Sequence, residues 1–288
     1  MSFQALFELY KVDCEHHLKK STMASKFAML EKHVLPAFAK LRVSDITPAT
    51  IRAWQNDVTA SGYSQAYCYA LHRQLSAVLN FAVRYYGLES NPAARAGSIG
   101  KNTVHQAFWT LDDFRTFAAT LREPEHIMLF YLLFWTGCRI GEALALTWDD
   151  VAASSISVSK TLSRVHGQPY LRRPKTPESI RKINVPSFIS AMLDDYKGLS
   201  KYTGPHLFNL TSSAANRVLI RHAESAGVER IRLHDLRHSH ASMLIQAGVP
   251  AIAIAERLGH KDAQTTLRVY AHLYKSTKDE VVSVLEKL

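Results

Sequence analysis

From Ile127 to Trp135 the chain is unbroken by any charged or small polar residue, and the run stops at Gly137. It is about half the length of a membrane span, so it reads as the buried helix of a globular protein. A helix that is apolar around its circumference has to be covered on all sides. The rest of the chain must therefore supply a sizeable core. With 288 residues there is enough for two modest domains, and the 47% apolar fraction fits a folded chain.

The residues before this run look helical. Phe3, Leu6, Phe7, Tyr10 and Cys14 fall on one helical face within residues 2–20. Ser21 or Thr22 can cap a second helix that runs to Pro36. Thr47-Pro48 starts a third, with Ile51 and Trp54 inward, and Ser64 opens a longer one carrying Leu71, Leu75 and Leu79 and ending at Gly87. Asn91-Pro92 closes the unit, and residues 93–106 have a linker's composition without periodicity. Thr110-Leu111-Asp112-Asp113 is a capping pattern that opens a second domain. Three strands are expected there: Ser155–Thr161, Pro169–Arg173 after a turn at His166-Gly167-Gln168, and Ile180–Val185. From Ser187 the chain is helical again. The predicted fold is mainly α with a small antiparallel β-sheet in the second domain.

A net charge of +10 and a pI near 9.5 favour a polyanionic partner, nucleic acid being the commonest. The charge alone does not decide this, since many basic proteins bind nothing acidic. Cys14, Cys68 and Cys138 form no CxxC pair, which argues for a reducing compartment. With no basic-then-apolar signal pattern at the N-terminus, the expected location is the cytoplasm.

The chemistry concentrates in Leu233-His234-Asp235-Leu236-Arg237-His238. On a helix, His234 and Arg237 share a face, which sets a proton acceptor beside a permanent cation with a planar donor fork. Such a pair suits a phosphate held while a hydroxyl loses its proton. Leu258-Gly259-His260 adds a second histidine, and Tyr270 follows as an oxygen nucleophile. Upstream, Thr136-Gly137-Cys138-Arg139-Ile140-Gly141-Glu142 brings another arginine just after a glycine turn.

These motifs, in this order, resemble the tyrosine recombinases, the integrase family of phages and mobile elements. The resemblance is strong over the last two thirds of the chain and looser over the first third. It implies a helical core-binding (SAM-like) domain over residues 1–92, a linker over 93–106 and a catalytic domain over 107–288 with a C-terminal helix, the two domains closing around duplex DNA. It also implies roles. Arg139 and Arg237 match the family's two phosphate-binding arginines, with Glu142 orienting Arg139. Lys175, in the turn between the second and third strands, matches the general acid. His234 matches the general base or proton relay, and His260 the histidine that bonds a phosphate oxygen. Tyr270 matches the nucleophile, although its gap from His260 is one residue longer than the family's commonest version.

The residues alone leave other readings open. Arg139 could simply pair with Glu142 one turn on, and Arg237 could pair with Asp235 or cap a carbonyl. His234 and His238 have a spacing that also suits zinc, but a third ligand and a Glu base are not at a recognisable spacing. Asp149-Asp150 and Asp194-Asp195 are explained more cheaply as caps and turns than as a two-metal site. Tyr274 lies on the same helical face as Tyr270 and is its competitor. Arg172 and Arg173 lie beside Lys175 and are DNA-binding candidates. Arg217 and Arg221 are a third and fourth, or else a solvated basic face.

By the family reading, the substrate is double-stranded DNA with specific target sites. No metal, cofactor or ATP is required, because each step exchanges one phosphoester for another. The acting species would be a homotetramer on synapsed DNA, with accessory DNA-bending or directionality factors as possible partners and no membrane. The apolar stripe Val281, Val284, Leu285 and Leu288 would dock on a neighbouring protomer. Many phage integrases carry an extra N-terminal arm-binding domain, whereas this sequence starts at the core-binding helices. A type IB topoisomerase and a non-catalytic DNA-binding protein of the same fold are the rival readings.

Overall fold

The computed structural model describes residues 1–101, 107–165, 167–172, 177–200 and 202–260, together with Gln264 and Leu267. They fall into two compact units, one of Met1–His105 with Arg164–Gln168 and one of Gln106–Ser163 with Pro169–Leu288.

In the first unit, α1 (Phe3–His17) buries Phe3, Leu6, Phe7, Tyr10 and Cys14, the face its spacing predicts, and Ser2 caps it by accepting from the Ala5 N–H. α2 (Lys20–Met29) begins with Lys19 at its N-cap and no side-chain cap, so neither Ser21 nor Thr22 opens it. The expected stop at Pro36 does not occur either. A π-helical turn, Leu30–Val34, carries the chain into α3 (Leu35–Phe38), with the Leu35 N–H reaching back to the Leu30 carbonyl. The wide turn gives room for a proline, which has no N–H to place and whose ring would clash in a regular α-helix.

After a 3₁₀ turn at Val43–Asp45, α4 (Pro48–Ala60) starts at its Thr47 cap and buries Ile51 and Trp54. α5 (Gln65–Tyr85), capped by Ser64, adds Leu71, Leu75 and Leu79 to the same core. The linker expected from residue 93 begins later. α6 (Pro92–Ala96) is capped by Asn91 and buries Ala93 and Ala96 in this core. Arg52 then binds the Ala96 carbonyl and Gln55 the Gly97 carbonyl, fixing the segment to α4. Two alanines a turn apart are too small a signal to register as periodicity.

The second unit opens with α7 (Leu111–Ala118), whose Thr110 and Asp113 form the predicted capping box. The apolar run is α8 (Pro124–Thr136), with Met128, Leu129, Phe130, Leu132, Leu133 and Phe134 buried. α9 (Ile140–Ala143) and a 3₁₀ turn, Trp148–Asp150, lead into β1 (Val151–Ala152) and β2 (Ser155–Val158). β3 (Thr161–Val165), β4 (Gln168–Arg172), a 3₁₀ turn at Pro177–Ser179 and β5 (Arg181–Asn184) follow. β1, β2 and β5 make an antiparallel sheet in which Ile156 faces Ile183.

The single strand expected over 155–161 is in fact two. β3 leaves this sheet to pair with β4. At the break Lys160 turns to Asp150, 2.9 Å away, and an ion pair replaces strand pairing. Asp150 also completes a capping box with Thr147, so the Asp149-Asp150 pair is accounted for as a cap. α10 (Ser187–Leu199), α11 (Ser212–Ala226), α12 (Asp235–Gln246) and α13 (Ala251–Leu258) complete the unit. α7, α10 and α12 all pack on α8. Among the described residues no helix is long and apolar enough to cross a membrane. Lys175, Arg173, Tyr270, Tyr274, His166 and the C-terminal stripe lie outside the described residues.

Candidate active site

The last four carbonyls of a helix have no partner within it. At the end of α8 they are met by side chains from far along the chain. His240 Nδ1 lies 2.8 Å from the Phe134 carbonyl, Arg257 Nη2 donates to Trp135 O at 3.0 Å, and Arg237 Nη1 donates to Gly137 O at 2.8 Å. Gly137 ends the helix in the left-handed conformation, φ 67°. A Cβ there would stand 2.6 Å from Leu258 Cδ2 and 2.8 Å from His240 Cδ2, so no other residue fits without displacing both. The second nitrogen of Arg237, Nη2, donates to Leu258 O at 2.6 Å, the end of α13. Arg237 is thus clamped between the negative ends of two helices. It caps carbonyls, one of the two structural alternatives, and Asp235 pairs instead with Arg232 at 2.8 Å.

Arg257 Nε donates to His240 Nε2 at 2.9 Å, and a guanidinium can only donate. His240 Nε2 is therefore the acceptor, and its proton sits on Nδ1, facing Phe134 O. Burial, and then Arg257, push the His240 pKa down to about 3, so it is neutral at physiological pH.

Glu142 supplies the counter-charge. Its carboxylate is 3% exposed and accepts from the Arg139 N–H at 3.0 Å, Arg139 Nη1 at 2.8 Å and Arg181 Nη2 at 2.9 Å. Burial works to raise its pKa, but Arg181 and Arg139 overcome that and hold it below the ordinary carboxylate range. Of the four guanidiniums in this cluster, Arg139 and Arg181 pair with Glu142, while Arg237 and Arg257 donate to carbonyls and to His240. The imbalance is felt at Arg237. Burial, then Arg139 and Arg181, lower its pKa to about 9, which leaves it charged at neutral pH. A site with this excess of fixed cations favours an anion with several oxygens.

His234 and His260 stand beside those cations. His234 is the N-cap residue of α12, reached by solvent, with its ring edge-on to His238 at 5.2 Å. Desolvation by the packed wall behind it, then His238, Arg237 and Arg139, bring its pKa to about 4. His260 follows the left-handed Gly259 that ends α13. Burial, then Arg237, Arg139 and Arg181, lower it to about 4 as well. Both rings are neutral at physiological pH and able to accept or share a proton. Among the described residues no three side chains of metal-binding type gather.

The structure thus brings together Arg139, Glu142, His234, Arg237 and His260. Arg172 ends β4, and Arg217 and Arg221 are exposed one turn apart on α11. Arg181, Arg257 and His240 also belong to the site, though none of them stands in the motifs read from the sequence. Little near them marks their roles, because Arg181 meets Glu142 across 39 residues, His240 meets Phe134 across 106 and Arg257 meets Trp135 across 122.

The model of the phage integrase family matches residues 110–277, and that of the phage integrase N-terminal SAM-like domain matches residues 2–58. The ICEBs1 integrase of Bacillus subtilis (strain 168) is 27% identical, over 100% of this chain and 83% of that protein. The fold is shared with the Tn1549 transposon integrase, solved in complex with a circular intermediate DNA (TM-score 0.80, 20% identity, 100% of this chain and 99% of that one). It is shared also with lambda integrase, solved as a tetramer bound to a Holliday junction (TM-score 0.70, 18% identity, 91% and 78%). With one family model spanning more than half of its length and the other covering its start, the chain belongs to the phage integrase family, the tyrosine recombinases.

Proposed function

We propose that this recombinase cuts and rejoins double-stranded DNA at specific sites, for the integration or excision of a phage or mobile element, and that Tyr270 is its nucleophile. The Tyr270 oxygen attacks the scissile phosphorus, forming a 3′-phosphotyrosine, and the 5′-oxygen leaves with a proton from Lys175. The 5′-hydroxyl of a partner strand then attacks the phosphotyrosine and releases the tyrosine. Arg139 and Arg237 neutralise the charge that builds on the non-bridging oxygens. His260 bonds one of those oxygens, and His234 takes or relays the tyrosine proton. An unperturbed tyrosine has a pKa near ~10, so it needs such cations and an acceptor to react at neutral pH.

The observation that carries this reading is the cluster of Arg139 and Arg181 on the buried Glu142 carboxylate with the buried Arg237, and two neutral histidines at its side. Arg172, Arg173, Arg217 and Arg221 would add phosphate contacts outside it, making affinity fall steeply with salt. The acting species on synapsed DNA would be a homotetramer in the cytoplasm, since two duplexes each cut on both strands need four nucleophiles.

The test is trapping on nicked suicide DNA carrying the element's own ends, in EDTA. A covalent protein–DNA adduct lost in Tyr270→Phe and kept in Tyr274→Phe is expected. An adduct kept in Tyr270→Phe and lost in Tyr274→Phe would move the nucleophile by one turn, and bound DNA without an adduct would favour a binding protein.

A further inference from the structure

Arg181 belongs to none of the motifs that identify the family reading, yet its side chain ties three segments of the site together. Only 7% of it is exposed. Nη2 donates to Glu142 Oε2 at 2.9 Å, Nη1 to Ser179 O at 3.1 Å and Nε to Arg257 O at 2.8 Å. The three acceptors sit on three separate segments: α9, the 3₁₀ turn before β5, and the last turn of α13. The same place is tight. A Cβ on Gly259 would lie 2.9 Å from Glu178 O and 3.1 Å from Arg181 Cδ, so the His260 turn rests directly on the strand that Arg181 opens.

We propose that Arg181 is a positioning residue for strand exchange: it fixes Glu142, and through it Arg139, at a set distance from the turn that carries His260. The inference rests on the function proposed above. Arg139 is 39% exposed along its side chain and is anchored to Glu142 through Nη1 at 2.8 Å. Glu142 has two oxygens and two guanidiniums, so removing Arg181 frees the carboxylate to rotate toward Arg139 alone. It also removes one tie between α13 and α9, because the Arg181 fork joins Arg257 O to Glu142. A lysine in its place would keep the charge but could not span three acceptors with a rigid planar fork.

The experiment uses the full chain on nicked suicide DNA, with adduct formation followed in a single turnover at saturating DNA and Kd measured separately. Arg181→Met should slow adduct formation by about tenfold or more with Kd unchanged, the signature of an interaction that matters in the transition state. Arg181→Lys should be slowed comparably. In a Glu142→Gln background, adding Arg181→Met should cost much less than in the wild type, because the two act through one another. Full rescue by lysine would overturn the proposal in favour of charge balance, and so would independent, multiplying losses. A second readout needs no DNA. In Arg181→Met the His260 titration followed by NMR should move up toward the ordinary histidine range, and an unmoved His260 would refute the placement. Thermal melts of both variants guard against simple unfolding, with Arg181→Lys the variant of conserved size and charge. Absence of an adduct in the wild type would count against the proposed function, while the His260 titration would still judge Arg181.

Discussion

The two units solve the same problem, how to satisfy buried polar groups, at very different ranges along the chain. In the first unit the caps are local. Ser2, Thr47, Ser64 and Asn91 each bond a backbone N–H two or three residues on. In the second unit the groups that matter for the site are satisfied across 100 residues (Arg237 to Gly137), 106 (His240 to Phe134) and 122 (Arg257 to Trp135). Its buried polar side chains also include charges, among them Glu142, Asp235 and Arg237, where the first unit buries Gln55, His72 and Asn91. The first unit closes these helix starts locally, and its longer side-chain ties, such as Arg52 to Ala96 and Gln55 to Gly97, span 44 and 42 residues. The second holds its parts only when all of them are present, which suits a site that must fix a phosphate rigidly.

The largest difference between the units should come from Gly137→Ala. A Cβ at φ 67° and within 2.8 Å of His240 and Leu258 adds left-handed strain to overpacking. Together these should cost the second unit roughly 3–5 kcal/mol. Urea unfolding followed by tryptophans of both units should show the second transition shifted and the first unmoved. A single common shift would mean that the units unfold as one.

Acid should separate them next. A histidine whose folded pKa is lowered takes up protons more readily when unfolded. It contributes stability above about 6.5, and that stability is lost as pH falls toward the folded value. In the second unit His222, His234, His238, His240 and His260 are all lowered, with values of about 4, 3 and 4 at His234, His240 and His260; in the first unit the lowered histidines are His33 and His72. Glu142 and Asp235, both held below their ordinary range, add to the loss at still lower pH. The second unit should therefore lose stability more steeply between pH 6.5 and 4, as read from urea midpoints across that range. Equal slopes would show that the site's histidines titrate normally.

The smallest effect belongs to a local cap. Asn91 accepts from the Ala93 N–H at 2.8 Å and donates to Asn80 Oδ1 at 2.7 Å. Asn91→Ala should cost about 1–2 kcal/mol in the first unit alone. The rate of adduct formation at saturating DNA should stay as it is, and a slower rate would show that the helix entering the linker matters to the chemistry.

The same difference in range explains what could be read in the sequence. Thr47, Ser64 and Thr110 announce their helices because a cap and its N–H are neighbours. The Arg139–Glu142 pair is legible for the same reason, being three residues apart. Phe3 to Cys14 and Leu71 to Leu79 reveal their buried faces by period alone. Arg181, Arg257 and His240 are silent, since nothing within a helical turn of them names their partners. The strand expected over 155–161 fails likewise. The apolar alternation of Ile156 and Val158 stops at Lys160, and the Asp150 partner that draws Lys160 out of the sheet is not marked by any period.

The end of α8 carries a last consequence, for the protein's own synthesis. The helix is complete when residue 136 has been added, but the side chains that cover its final carbonyls arrive at 237, 240 and 257. At ordinary elongation rates that is a delay on the order of ten seconds. Through that interval a nascent chain has Arg139 and Glu142 but no fork from Arg237 to set beside them. A ribosome-bound fragment, however well its first unit has folded, thus lacks the Arg237 clamp until translation has passed α13.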